Sequence, residues 1–401
     1  MALKSILLHD YGAYAFTLEL ARALARRGHR VAYAYSGDLR APSGPLAPRP
    51  DDPAAFSLHR LATGAPLAKY AYLRRRRQER RYAARLVALL DEIRPDIVLS
   101  ANTPLEALHG VQGAAARINA RFIHWLQDIH WIAIRGALRT RLPLLGRAVA
   151  VYYRRVERGI LGESDLVIAI ADEFLAECEA AGVRHVVVHP NWAPLAPVPR
   201  FEGANPWAAR HGLIGKTCLL YAGTLGLKHD ASLFLDLADR FRGRDDVRVV
   251  VVSEGSGAVF LRAEQEKAPR ANLVLLPFQG AAEVPAMLDS ATVLLAVLEP
   301  DAGLYSVPSK ILTYAASGKP VVAAMPLANP AARLIVDHGL GIVVDAGDRG
   351  GFCRAAETLV ADEARRANCS RAGRAYAEEN FDIAGISLRF EEIFSRVGNP
   401  A

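Results

Sequence analysis

Ser306-Val307-Pro308-Ser309-Lys310 runs into Ile311-Leu312-Thr313-Tyr314-Ala315-Ala316-Ser317-Gly318-Lys319-Pro320 and then Val321-Val322-Ala323-Ala324. Pro308 suits a first helical position with Ser306 or Val307 as its cap, so the spacing predicts a short helix opened by a tight loop. Gly318 stops that helix, and Pro320 forbids its continuation. The apolar run from Val321 then returns as a buried strand. A helix N-terminus presents unpaired N–H donors and the positive end of a dipole, and Ser309 and Lys310 add a hydroxyl and an ammonium. The combination makes a cradle for a diphosphate.

The same loop, helix, stop and strand order extends outward in both directions. Upstream in this half, strands are expected at Cys218–Ala222, Val247–Val252, Leu273–Leu276 and Thr292–Leu298, with a helix over Ser232–Arg242; Gly341–Val344 follows downstream. In the first half, Ser5–His9 reads as a strand and Asp10–Tyr14 as a loop. Phe16, Leu20 and Leu24 recur at i+4 on a helix that ends at Gly28. Strands follow at His29–Tyr35, Pro95–Ser100, Arg121–Leu126, Leu166–Ile170 and His185–His189, with a loop over Ala41–Pro53 and a long basic helix over Tyr70–Ile93. Between the halves, residues 190–199 hold four prolines, which disfavour both helix and ladder pairing. Apolar strands alternating with helices mean parallel sheets covered on both faces. The expected architecture is α/β: two doubly wound Rossmann-like domains joined by a hinge and facing across a cleft.

Length and composition agree with this. The 401 residues exceed one ordinary core, and 51% are hydrophobic with 23% charged, which is globular composition. No apolar run reaches the roughly 20 residues that cross a bilayer, and Met1–Leu8 lacks a signal peptide's apolar core, so a cytoplasmic location is expected. Cys178, Cys218, Cys353 and Cys369 show no metal or disulfide spacing and read as buried neutral residues. His9, His124 and His130 likewise share no metal spacing and read as satisfied or exposed histidines.

Residues 1–190 hold 27 Lys and Arg against 18 Asp and Glu, while the remainder holds 22 against 24. The basic surface therefore lies in the first half, densest at Arg74–Arg81, with Arg135, Arg139, Arg141, Arg147, Arg154, Arg155 and Arg158 as a second group. Solvated helix faces account for such runs. An anionic membrane on the cytoplasmic side or a phosphate-bearing acceptor is the alternative partner. Nucleic acid is not expected, because no aromatics interleave the run. Leu142–Val151 beside these arginines reads either as core or as a segment dipping into a bilayer surface.

Ligands of open parallel sheets bind beyond the carboxyl ends of the strands. That rule gathers the loops Ala222–Lys228, Ser253–Gly257, Pro277–Gln279 and Ser306–Lys310. With these loops in place the chain resembles the retaining family 4 glycosyltransferases of GT-B fold, nearest the bacterial branch that builds capsule, colanic-acid-like or O-antigen polysaccharides. The likeness rests on Val307-Pro308-Ser309-Lys310-Ile311-Leu312-Thr313-Tyr314 with Ser317–Pro320, on His189-Pro190-Asn191-Trp192-Ala193-Pro194, on Trp125-Leu126-Gln127-Asp128, and on Tyr376–Asp382.

The resemblance implies sugar transfer from a UDP- or GDP-linked donor to a glycan or lipid-linked acceptor, with retention at the anomeric carbon, no metal and no other cofactor. It implies an acceptor domain over 1–192, a linker over 193–206, a donor domain over 207–382 and a last helix, 383–401, crossing back onto the first domain. Gly223, Lys228, Ser309 and Lys310 are implied at the diphosphate, Glu254, Gly255, Phe278 and Gln279 along the nucleoside, and Thr224 and Val307 among the donor-binding residues. Tyr11 and Gly12 are implied under the phosphates from the other domain, and Asp128 near the transferred sugar or the acceptor hydroxyl, with Asp128, Lys228 and Lys310 as the catalytic set. The chain departs from the family pattern at Thr224, where relatives carry Arg, and at Tyr305 and Thr313, where they carry a pair of Glu. It also departs at Gln127, where many carry His. Those losses keep open a GT-B sugar-nucleotide epimerase or a nonenzymatic nucleotide-sugar-binding partner. A dehydrogenase is not expected, because no Gly-x-Gly-x-x-Gly follows the first strand.

Overall fold

The computed structural model describes residues 3–39, 46–64, 72–139, 143–195, 201, 204–226, 229–300 and 308–397. The chain divides into two compact units, one of residues 1–191 with 383–401, the other of residues 192–382. Among the described residues no helix is long and apolar enough to cross a membrane.

Among the described residues the first unit holds seven strands: β1 (Ser5–Asp10), β2 (Arg30–Ser36), β3 (Phe56–Leu61), β4 (Ile97–Ala101), β5 (Arg121–Leu126), β6 (Leu166–Ala169) and β7 (Val186–Val188). They lie in the order β3-β2-β1-β4-β5-β6-β7, every pair parallel. The second unit holds β8 (Thr217–Ala222), β9 (Val247–Val252), β10 (Leu273–Leu276), β11 (Val293–Val297), β12 (Val321–Ala324) and β13 (Gly341–Val344). Their order is β10-β9-β8-β11-β12-β13, again all parallel. Helices on both faces bury the sheets, which is why β1 and β11 have no exposed position and β11 reads as an unbroken apolar run.

Both sheets are doubly wound, and each has one place where the strand order turns back. In the first it lies between β1 and β4, in the second between β8 and β11. Connections leave in opposite directions there and open a crevice at the carboxyl ends. Register sets what meets in it. Asp10 pairs with Ala101, so Tyr11 and Asn102 leave their strands side by side. Ala222 pairs with Val252, so Gly223 and Ser253 do the same.

Several boundaries differ from expectation. The helix expected to begin at Pro308 begins at Lys310, with Ser309 at its cap position and no side-chain cap bond. Pro308 lies ahead of the first turn, its carbonyl accepting from the Ile311 N–H at 3.1 Å. Ser306 and Val307, the expected caps, lie outside the described residues. Gly318 ends the helix in the left-handed region, φ 63°, as the sequence implied. Strand β3 was not anticipated, because an edge strand that alternates exposed and half-buried residues lacks a continuous apolar run. Within the 193–206 segment, Asn205 already caps a helix, Pro206–Arg210, accepting from Trp207 N–H at 3.0 Å. The four cysteines are buried and unpaired.

The helix Ile383–Arg396 belongs to the first unit and packs on the helix Ala15–Arg26. Ile386, Phe390, Ile393 and Phe394 form its buried stripe at helical spacing. Glu391 secures it, accepting from Arg27 Nε at 2.8 Å and from His29 Nε2 at 3.0 Å.

Candidate active site

In the second unit the loops after β8 and β9 are tied together by backbone bonds. Gly223 donates to the Val252 carbonyl at 3.0 Å, and Leu225 to the Glu254 carbonyl at 3.0 Å. Gly257 donates back to the Leu225 carbonyl at 2.9 Å. Gly255, at φ 108°, turns the chain into the helix Ser256–Lys267; a Cβ there would stand 2.6 Å from the Leu225 carbonyl oxygen. Glu254 and Thr224 are exposed on this loop pair.

Lys310 comes to the same loop from the first turn of its helix. Its ammonium stands 3.7 Å above the centroid of the Tyr221 ring. A Cβ on residue 223 would lie 3.1 Å from Nζ, so glycine is what admits the ammonium beside the backbone. Nζ is shielded from solvent and has no hydrogen-bond partner among the described residues. Burial pulls its pKa down to about 7. Tyr314, one turn along the helix, accepts from the Ala222 N–H at 3.2 Å and locks the helix to the end of β8.

Lys310, Gly223, Thr224, Glu254 and Gly255 therefore converge within this unit, and Ser309 is exposed beside Lys310. Lys228 and Val307 lie outside the described residues. Phe278 and Gln279 follow β10 at the sheet edge, where Gln279 accepts from the Trp207 indole N–H at 3.0 Å and donates to the Pro277 carbonyl at 2.8 Å. The Gln279 amide is thus committed to the protein in this structure.

In the first unit, a pocket of about 160 Å³ opens at the carboxyl ends of β1, β4 and β5, lined in part by Tyr11, Gly12, Tyr14, His124, Asp128 and His130. Its floor is organised by Asp10, whose carboxylate accepts from Gly12 N–H at 3.0 Å, Tyr14 N–H at 2.7 Å, Thr17 Oγ1 at 2.5 Å and Asn102 Nδ2 at 3.0 Å. Burial raises the Asp10 pKa, and these donors oppose the rise. The loops it holds are strained: Ala13 and Asn102 have φ of 54° and 52°. Tyr11 is buried edge-on against Tyr82, with ring centroids 4.8 Å apart. Burial, with the Asp10 and Asp128 carboxylates, pushes the Tyr14 phenol up to about 12.

Three residues here escaped the sequence reading. The sequence places Asp10 in a loop, yet it ends β1 and is the carboxylate that fixes Gly12. His130 lines the pocket, and its Nδ1 lies 3.2 Å from Glu157 Oε1. Glu157, fully buried, also accepts from the backbone N–H groups of His130 and Trp131, both at 2.9 Å, and so caps the helix His130–Arg139. The available signal for Glu157 was its phase: it lies seven residues after buried Ala150 and three before buried Ile160, a carboxylate on a core face.

The fold has counterparts among known proteins. Residues 12–192 match the family model described as a glycosyl transferase 4-like domain, and residues 216–362 that of glycosyl transferases group 1. Anabaena HepE, solved with UDP and glucose, is similar over 98% of this chain and 99% of its own at 16% identity, TM-score 0.69. Sucrose-phosphate synthase from Thermosynechococcus elongatus is similar over 98% of each chain at 15% identity, TM-score 0.73. WaaG, a glycosyltransferase involved in lipopolysaccharide biosynthesis, is similar over 97% of this chain and 99% of its own at 15% identity, TM-score 0.68. No curated protein matches the sequence significantly.

Proposed function

We propose, for a chain that belongs to the family 4 glycosyltransferases of GT-B fold, that it moves a sugar with retention from a nucleoside-diphosphate sugar to a glycan or lipid-linked acceptor. The observation that carries the reading is Lys310: a shielded ammonium with no hydrogen-bond partner among the described residues, beside a glycine that leaves room for it. Such a cation is costly to bury without a counter-charge, and a diphosphate supplies one. The similar Anabaena protein is described with UDP and with UDP-glucose, which favours UDP as the first nucleotide to test.

Transfer requires the bond from the anomeric carbon to the diphosphate oxygen to break as charge builds on that oxygen. Lys310 and the N–H groups of the helix it opens stabilise this charge, with Lys228, five residues beyond Gly223 in sequence, as the second cation. The acceptor hydroxyl forms the new bond on the face the diphosphate leaves, and its proton passes to the departing phosphate oxygen. Retention follows, no metal or cofactor beyond the donor is called for, and Asp128 orients the acceptor.

Bacterial surface polysaccharide assembly on the inner face of the cytoplasmic membrane is the setting this reading favours. In the helix Pro143–Glu163, Val151 and Tyr152 are exposed beside exposed Arg147 and Arg155, a pattern suited to an anionic bilayer surface. Flotation with anionic liposomes tests that placement, and absence of binding removes it. For the reaction, the protein is incubated with a panel of UDP- and GDP-sugars and glycan acceptors, and the product anomer is read by NMR. A retained anomer supports the reading. Epimerised donor without transfer, or binding without turnover, overturns it in favour of an epimerase or a binding partner.

A further inference from the structure

The helix Tyr72–Ile93 of the first unit carries seven arginines, and the acids around it are shared unevenly among them. Glu79 accepts from Arg75 Nε at 2.7 Å, and Glu106 takes Arg76 at 2.7 Å and Arg80 at 3.4 Å. Asp91 is held by Arg117, from the neighbouring helix Leu105–Arg117, at 2.7 Å. Arg74, Arg77, Arg81 and Arg85 are exposed and have no ion pair or hydrogen bond among the described residues. Steps of three, four and four residues put them on one stripe of the helix. Like charges at those spacings repel, so the stripe weakens its own helix unless an anion lies along it.

The stripe has a direction. Strand β3 ends at the carboxyl edge of the first sheet and β4 starts at its amino edge, so the helix between them runs away from the crevice side. Arg75, in its first turn, lies close enough to Tyr11 and His130 of the pocket for its charge to bear on both. From Arg74 the stripe therefore leads outward from the crevice rim to Arg85, about 17 Å along the helix axis. Glu92, two turns beyond Arg85, ends it with the opposite charge.

A linear polyanion matches such a row, because each guanidinium fork can take one carboxylate. Docking on a bilayer needs apolar side chains to bury, and among the described residues of this helix no large apolar side chain is exposed. The helix Pro143–Glu163 presents Val151 and Tyr152 for that purpose instead. A nucleic acid strand needs aromatic platforms, and Tyr82 is buried against Tyr11. We propose that Arg74, Arg77, Arg81 and Arg85 hold an acidic glycan chain, its uronate carboxylates against the guanidinium groups and one end of the chain at the crevice. This rests on the transfer reading above and narrows its acceptor to one that bears negative charge.

Fluorescence anisotropy of an end-labelled oligogalacturonate with the full chain tests this, with neutral dextran as competitor. The oligomer should bind, resist dextran, and lose about ten-fold or more in affinity between about 50 and 200 mM salt. Arg74→Gln, Arg77→Gln, Arg81→Gln and Arg85→Gln together should weaken binding about ten-fold or more at the lower salt. The same exchange at exposed Arg242, Arg244, Arg262 and Arg365 of the second unit removes equal charge and should leave binding intact. No binding by the wild-type chain, displacement by dextran, or equal losses in the two variants overturns the proposal. So does a first variant that keeps the oligomer but no longer floats with anionic liposomes, which would give the stripe to the membrane. UDP binding is followed on the same samples. Its absence in the wild-type chain removes the transfer reading and with it the acceptor role of the glycan, whereas UDP bound without the oligomer removes only the present proposal.

Discussion

The ammonium of Lys310 stands 3.7 Å over the ring of Tyr221. A cation–π contact contributes roughly 0.5–2 kcal/mol. Withdrawing an ammonium from water costs several kcal/mol, so the ring only partly offsets burial. The unliganded site is left with a lysine whose pKa has fallen to about 7. On the proposed function it is an anion receptor whose cation is held ready at some cost.

A proton should therefore enter with the nucleotide. A diphosphate against Lys310 raises its pKa again, so binding above pH 7 takes up a proton, and affinity falls as pH climbs. Calorimetric titration of UDP in buffers of different ionisation enthalpy should show that uptake near pH 8. Lys310→Met should abolish it.

Unfolding carries the same signature with the opposite ligand state. The unfolded lysine binds a proton up to its ordinary value, the folded one only to about 7. Unliganded stability from this group therefore rises with pH above about 7 and levels off near the unfolded lysine's pKa, about 10.4. Denaturant titrations of wild type and Lys310→Met across that window should differ by this slope, with the variant no less stable at pH 7.

Gly223→Ala places a methyl 3.1 Å from Nζ at a φ of 139°. Backbone strain of about 1–3 kcal/mol is expected in stability, with a ten-fold or greater loss of nucleotide affinity as the ammonium is displaced. Paired denaturation and binding curves check both parts.

Asp10→Asn exchanges a carboxylate that accepts four close bonds for an amide that turns a donor toward some of them. Leaving a buried donor unpaired costs about 1–3 kcal/mol. The measurable outcome is a lower denaturation midpoint, with faster exchange of the Gly12 and Tyr14 amides.

Lys310→Ala should lower turnover at least ten-fold with the fold intact, and a loss nearer 10²–10³ is typical for one such contact, about 2.7–4 kcal/mol. Steady-state rates with circular dichroism as a control decide it.

Much of this was legible in the order of residues. Continuous apolar runs such as Val321–Ala324 and the stop at Gly318-Lys319-Pro320 specify buried strands and helix ends locally, so strands and loops could be placed from them. The meeting of Gly223, Gly255 and Lys310 also followed, because strand ends in a parallel sheet share one edge. What escaped depended on contacts across many residues. Asp10 finds Asn102 only through the β1–β4 register, and Glu157 finds His130 only once two helices pack. The commitment of the Gln279 amide to Trp207 had no local signal at all.

The most direct test is a crystal structure of the chain with UDP. The account predicts the β-phosphate within hydrogen-bond distance of Lys310 Nζ, against the Gly223 loop and the first turn of the Lys310–Ser317 helix. A diphosphate bound elsewhere, or Lys310 still resting on Tyr221 without touching it, would contradict the account.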